Sequence, residues 1–172
     1  MNQSVETVRS QLGALLPRLR RFARAITRNV HDADDLVQIG IERALTRAEQ
    51  WQPDSRLESW MFGIIRNAWI DEVRSRTRRN KLFVAEELGE SVGVDAMEAQ
   101  AQIMAVQEAM SHLPEEQRTA VALVLVEGLS YKEAADVMSI PIGTLTSRLA
   151  RGRESLQKML GNTGETSSGA PQ

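Results

Sequence analysis

The stretch SIPIGTLTSRLARGR, residues 139–153, decides how the rest of the chain is read. Pro141 suits the first turn of a helix, where its missing N–H costs nothing. Leu145 and Leu149, four apart, set an inward face. A step of about 100° per residue then places the other side chains. Gly143, Ser147, Ala150, Arg151 and Glu154 point outward. Thr144 and Arg148 flank one side, and Thr146 and Arg153 the other. Small residues let a helix backbone approach base edges, and arginines reach guanine edges or phosphates. Thr144, near the helix start, can donate to a phosphate beside free backbone N–H groups. Arg-rich amphipathic helices also occur on ordinary bundles, so the residues upstream carry weight.

Upstream, Ser130 and Glu133 have the Ser-x-x-Glu spacing of a capping box. They predict a short helix from Tyr131 to Met138, followed by a tight turn over 139–141. Two helices joined by such a turn form a helix-turn-helix, whose second helix enters the major groove of a duplex. Before it, Pro114 precedes Glu115 and Glu116 at a helix start, and Gly128 marks that helix's end. Helical spacing also appears at Met97, Ala101 and Met104, with Ile103, Val106 and Met110 alongside.

Farther upstream the pattern fades from Leu82 to about Val94, where Gly89 and Gly93 interrupt it. This reads as a linker. Before the linker, helical periodicity returns and strand-like alternation is almost absent. Val5, Val8, Leu12, Leu15, Leu19, Phe22 and Ile26 advance in threes and fours. Gly13 and Pro17 interrupt them, which predicts a break near 13–16 and a second helix from Pro17 to Arg28. The next helix is expected to use Asp32 as its N-cap, with Asp34 and Asp35 at the positive end of its dipole. WQPDSR reads as a turn. A third helix, Leu57 to Arg79, is apolar on two sides and ends in Arg74, Arg76, Arg78 and Arg79.

Charge is unevenly spread. The net formal charge is −2, yet residues 1–84 hold 15 Lys/Arg against 10 Asp/Glu, and residues 85–107 hold five acids and no base. Such a balance hides a nucleic-acid-binding surface from any overall average. Cysteine is absent, so disulfides and thiolate sites are excluded, and the two histidines, His31 and His112, are too few and too far apart in sequence to suggest a His-rich metal site. No cofactor and no metal are expected. No apolar run approaches the roughly 20 residues of a membrane span. The N-terminus lacks the basic-then-apolar order of a signal peptide. A soluble, cytoplasmic protein without membrane insertion is expected. Trp51, Trp60 and Trp69 lie near the basic helix. Exposed, they could stack on unpaired bases; in a two-sided apolar helix, Trp60 and Trp69 are more typical of core. The clustered arginines equally suit the negative end of their own helix.

Together these segments resemble the extracytoplasmic-function (ECF) sigma factors, the smallest sigma-70-type initiation factors of bacteria. LRRFARAIT, DADDLVQIGIERAL and WMFGIIRNAWIDEVR look like region two of that family, and LPEEQRTAVALVLVEGLSYKEAADVMSIPIGTLTSRLARGRESL looks like region four. The resemblance implies an all-α fold. Residues 1–82 would be a region-two-like domain, 83–95 an acidic linker, 96–160 a region-four-like helix-turn-helix domain and 161–172 a disordered tail. It implies a promoter-recognition subunit without catalysis of its own, whose partners are core RNA polymerase and promoter DNA. Asp34, Asp35, Gln38 and Glu42 would dock the polymerase clamp. Gln52, Asp54, Ser55, Arg66, Asn67, Asp71, Arg74, Arg76 and Arg78 would hold the melted minus-ten strand. Thr144, Thr146, Ser147, Arg148, Arg151 and Arg153 would read the minus-thirty-five duplex. The linker, through Glu86, Glu87, Glu90 and Asp95, would run through the polymerase cleft. No appended inhibitory domain is visible, so a separate anti-sigma factor is expected.

Two positions depart from the family pattern. Ile39 stands where relatives commonly carry an acid, beside helix-weakening Gly40, and Thr146 stands where many carry a base. The alternative is a sigma-like decoy that sequesters an anti-sigma factor. A decoy does not need the DNA-facing arginines that both segments keep.

Overall fold

The structure, a computed structural model, describes residues 2–79 and 98–165. Among these residues every regular element is helical. The expected linker over 83–95, with Glu86, Glu87, Glu90 and Asp95, lies outside them.

Helix α1 (Gln3–Thr27) is capped by Asn2, whose side chain accepts from the Ser4 N–H. It runs unbroken through Pro17, so the expected break near 13–16 does not occur. An interior proline costs about 3 kcal/mol. Each large apolar side chain fully buried returns roughly 1.5–3 kcal/mol. Val8, Leu19, Phe22 and Ile26 are all fully buried along one side, so the long apolar stripe outweighs the single breaker.

Helix α2 (Val30–Thr46) starts earlier than its aspartates suggest. The cap is Asn29, which accepts from the N–H groups of His31 and Asp32. Asp32 therefore sits inside the first turn, and its carboxylate is free to bind elsewhere. After a single 3-10 turn at Ala48–Gln50, Trp51 is buried and the chain turns into α3 (Leu57–Arg79). Phe22 and Phe62 meet at 4.9 Å between ring centroids, tilted at 55°. Gly40 faces α3 so closely that a Cβ there would lie 2.7 Å from Ile65 Cγ1. The residue that weakens α2 locally is the one that lets α2 seat on α3.

The second group comprises α4 (Glu98–Ser111), α5 (Glu115–Val121), α6 (Tyr131–Met138) and α7 (Ile142–Glu165). Between α5 and α6 the backbone widens into one π-turn over Ala122–Val126. Gly128, at φ +73°, then reverses the chain in a conformation that other residues adopt only under strain. The capping box of Ser130 and Glu133 is fully formed. Ser139 takes a left-handed conformation and makes the turn into α7. Leu145, Leu149 and Gly152 face inward. A Cβ on Gly152 would meet Val121 Cγ2 at 2.9 Å, so α5 and α7 also require a glycine between them. Helix α7 continues to Glu165, so the first residues of the expected disordered tail are helical.

The two groups are joined by buried polar contacts. Arg118, only 3% exposed, donates to the carbonyls of Met110, Leu113 and, across the junction, Ile26 at 3.0 Å. Burial pushes its guanidinium down to about 10, helped by nearby Arg28 and opposed by Glu115; it stays charged at neutral pH. Arg28 donates to Ser111 O at 2.7 Å. The π-turn aims Glu127 at α1. Its carboxylate, wholly out of solvent, accepts from Arg18 Nε at 3.2 Å and Arg21 Nε at 2.8 Å.

Candidate nucleic-acid interface

The outward face of α7 matches the helical arithmetic. Gly143, Ser147, Ala150, Arg151 and Glu154 are exposed, as are Thr146 and Arg153, while Thr144 and Arg148 are half-buried at the flank. Arg151 and Arg153 have no ion-pair partner among the described residues. Arg148 does: its Nη2 lies 3.0 Å from Glu116 on α5. Thr146 Oγ1 donates back to Ile142 O at 2.8 Å, which leaves its methyl and a lone pair for contact. Free cations and small side chains on one helical face are what groove contact requires.

The residues expected around an unpaired strand divide into three groups. Asp54, Ser55 and Asn67 come together on the wall of one cleft of about 610 Å³, with Trp60 and Ser59. Gln52 does not line that cleft; its carbonyl accepts from Ser55 N at 2.9 Å and from Ser55 Oγ at 2.7 Å. Trp60 is half-buried there, whereas Trp51 and Trp69 belong to the core. Arg74 and Arg78 form the second group, exposed and without an ion-pair partner among the described residues.

The third group is engaged inside the protein. Arg76 makes a two-pronged contact with Asp32 at 2.8 and 3.0 Å, reaches Glu72 at 2.9 Å and lies over the Trp69 ring. The Asp32 bond, opposed by burial and helped by Glu72, raises its affinity for the proton further. Asp71 is paired with Arg43 at 3.1 Å. Arg66 is half-buried, and burial and Arg148 disfavour its charge while Glu115 and Glu116 partly restore it.

On α2, Asp34, Asp35, Gln38 and Glu42 are all exposed. Ile39 stands among them, 38% exposed, with Leu45 equally so. This face pairs acids with an apolar patch, a composition suited to a protein partner more than to DNA.

Sequence reasoning missed Arg18, Arg21, Arg118 and Glu127. Glu127 left one signal: it is the only acid in the apolar run AVALVLVEGL. An acid there must either face water or find a buried cation.

Comparison with known proteins decides the family. The family model for Sigma-70 region 2 matches residues 12–79, and that for Sigma-70, region 4 matches residues 103–156. The ECF RNA polymerase sigma factor EcfG of Rhodopseudomonas palustris is 33% identical over 90% of this chain and 86% of its own length.

The chain belongs to the ECF branch of the sigma-70 family.

The ECF sigma factor SigM of Mycobacterium tuberculosis is 37% identical over 85% of this chain and 74% of its own. Among solved structures, the sigma factor RpoE in complex with the anti-sigma factor NepR from Bartonella quintana superposes with a TM-score of 0.76. It is 29% identical and covers 89% of this chain and 96% of that one. CnrH in complex with the cytosolic domain of CnrY has a TM-score of 0.69 at 21% identity, a likeness of fold. No described helix is long and apolar enough to cross a membrane.

Proposed function

We propose that this sigma factor directs promoter-specific initiation by reading two elements with two helical units. Residues 1–82 take the minus-ten strand after melting, and residues 96–160 read the minus-thirty-five duplex. The observation that carries this is the division of free cations. Arg151 and Arg153 extend along an exposed face of small residues on α7, fit for a groove. Arg74 and Arg78 stand exposed on α3, the helix that also carries Asn67 into a cleft with Asp54, Ser55 and Trp60. A cleft with an amide, an aromatic ring and nearby cations suits an unpaired base and its phosphate.

Asp34, Asp35, Gln38 and Glu42, with exposed Ile39 beside them, dock the polymerase. Catalysis belongs to that enzyme. A separate anti-sigma factor is the proposed regulator, supported by the complex that the 29%-identical RpoE forms with the anti-sigma factor NepR. The same likeness fits a decoy, but the unpaired arginines on both units favour DNA.

In vitro transcription with core polymerase on a promoter library tests the reading. Chain-dependent, promoter-specific transcripts are expected, reduced by Arg151→Ala at the upstream element and by Asn67→Ala at melting. Polymerase binding without open complexes would favour the decoy.

A further inference from the structure

A cleft of about 480 Å³ lies outside the surfaces assigned above to DNA and polymerase. Arg28 at the end of α1, Trp69 and Val73 of α3, the run 111–115 and Arg118 line it.

This cleft gathers positive charge without a paired acid. Arg118, only 3% exposed, donates to three main-chain carbonyls and joins no ion pair among the described residues. Carbonyls satisfy its N–H groups but leave its formal charge unbalanced, and a charge so deeply buried is ordinarily paired. Arg28 is in the same position: it donates to the Ser111 carbonyl at 2.7 Å and has no ion pair among the described residues. The two guanidiniums are near enough for Arg28 to disfavour the charge on Arg118. The acid in the wall, Glu115, favours that charge from a distance, without an ion-pair contact. His112 is turned to Glu108, 3.0 Å away. Trp69, 8% exposed, carries an indole N–H that is buried with no acceptor among the described residues. Donors and cations thus outnumber acceptors, which is the complement of an anion.

We propose that this cleft binds a small organic phosphate, its phosphate held between Arg28 and Arg118 and its apolar body against Val73 and Pro114. A dianion balances two guanidiniums, whose forks match phosphate oxygens. Each terminal nitrogen of Arg118 keeps a second N–H for such a contact. The volume is that of a small-molecule site and more than a bare phosphate fills. The site stands apart from promoter reading and does not depend on it.

Isothermal titration of the full chain at low salt tests the site, with AMP, inorganic phosphate and adenosine as probes. AMP is expected to bind and to raise the melting temperature. Inorganic phosphate should bind more weakly and compete with AMP, and adenosine should give no heat. Arg28→Gln, at an exposed position, should weaken AMP about tenfold or more through lost charged hydrogen bonds. Arg28→Lys, which keeps the charge but not the fork, should fall between. Val73→Phe, which fills the apolar side, should weaken AMP and spare inorganic phosphate. Because the groove helix also attracts phosphate, Arg151→Ala is the control and should bind AMP as the native chain does. Circular dichroism melts establish that each variant is folded. No heat from AMP or phosphate, equal binding of adenosine, or an AMP affinity that survives Arg28→Gln overturns the site. A loss that follows Arg151→Ala instead overturns it too, by placing the phosphate on the groove helix.

Discussion

The Glu127 carboxylate, fully removed from water, accepts from Arg21 Nε at 2.8 Å and Nη2 at 2.9 Å across 106 positions of sequence. The partners are unequal. Arg21 keeps about half of its side chain in solvent and Arg18 about a third, so either can rehydrate if the acid is lost. Glu127 cannot move out without moving the unit that carries it.

Glu127→Ala is therefore expected to cost about 1–3 kcal/mol, below the 3–5 kcal/mol of a pair buried on both sides. Arg21→Ala should cost less, because Arg18 still reaches the acid. Urea unfolding of the three proteins checks the order. A larger loss for Arg21→Ala than for Glu127→Ala would mean that Arg18 is no substitute.

Two glycines make opposite predictions. At Gly40 a Cβ meets Ile65 at 2.7 Å, so Gly40→Ala should push α2 off α3 and cost about 1–3 kcal/mol, the usual range for overpacking. At Gly13, inside α1, nothing lies within 4 Å of the added carbon. Gly13→Ala should stabilise by roughly 0.5–1 kcal/mol through helix propensity. Thermal melts of both variants decide. Destabilisation at Gly13 would reveal a constraint near Pro17 that the packing does not explain.

The basic end of α3 separates into two roles. Arg76 is committed to Asp32, Glu72 and Trp69, so Arg76→Ala should lower stability by about 1–3 kcal/mol through lost charged hydrogen bonds. Arg74→Ala and Arg78→Ala should leave stability within about 0.5 kcal/mol. They should instead weaken binding of the minus-ten strand by the polymerase complex and lower its salt dependence by about one ion each. Denaturation and salt titration, run side by side on the three variants, distinguish a structural arginine from a phosphate-binding one. Equal salt slopes for native and Arg74→Ala would remove Arg74 from the site.

Local signals in the sequence were sufficient for α6 and α7. The capping box, the tight turn over 139–141 and the Leu145–Leu149 face each depend on residues within one or two helical turns. They appear where expected. The start of α2 was misread because Asn29 and Asp32 are both good caps, and only the pairing of Asp32 with distant Arg76 settles which is used. The continuity of α1 was hidden for the same reason. Pro17 speaks locally, whereas the burial that overrides it comes from α2, α3 and α5. The contacts between the two helical groups were least legible. Glu133 looks complete as a capping residue, and nothing in its neighbourhood announces that its second oxygen serves Arg56 some 77 positions away.

That second role gives Glu133 a pH signature. The N–H of Ser130, and then Arg56, hold its carboxyl below the ordinary value of 4.5. A carboxylate depressed in the folded state contributes stability that is complete above its unfolded value and is lost as pH falls through its folded one. The advantage of the native chain over Glu133→Gln should therefore be constant at neutral pH and shrink below about pH 4.5. Being half-exposed, the Arg56 pairing should contribute no more than about 1 kcal/mol of that advantage. Glu58, which shares Arg56, shifts the same way: burial opposes ionisation, but its own backbone N–H and the two arginines outweigh it. Because the two acids share Arg56 their titrations are coupled, and the same pair of proteins compared in a Glu58→Gln background isolates the Glu133 part. Urea midpoints across a pH series supply the curve. A difference that stays flat to about pH 3 would show that the Glu133 charge does not stabilise the native fold.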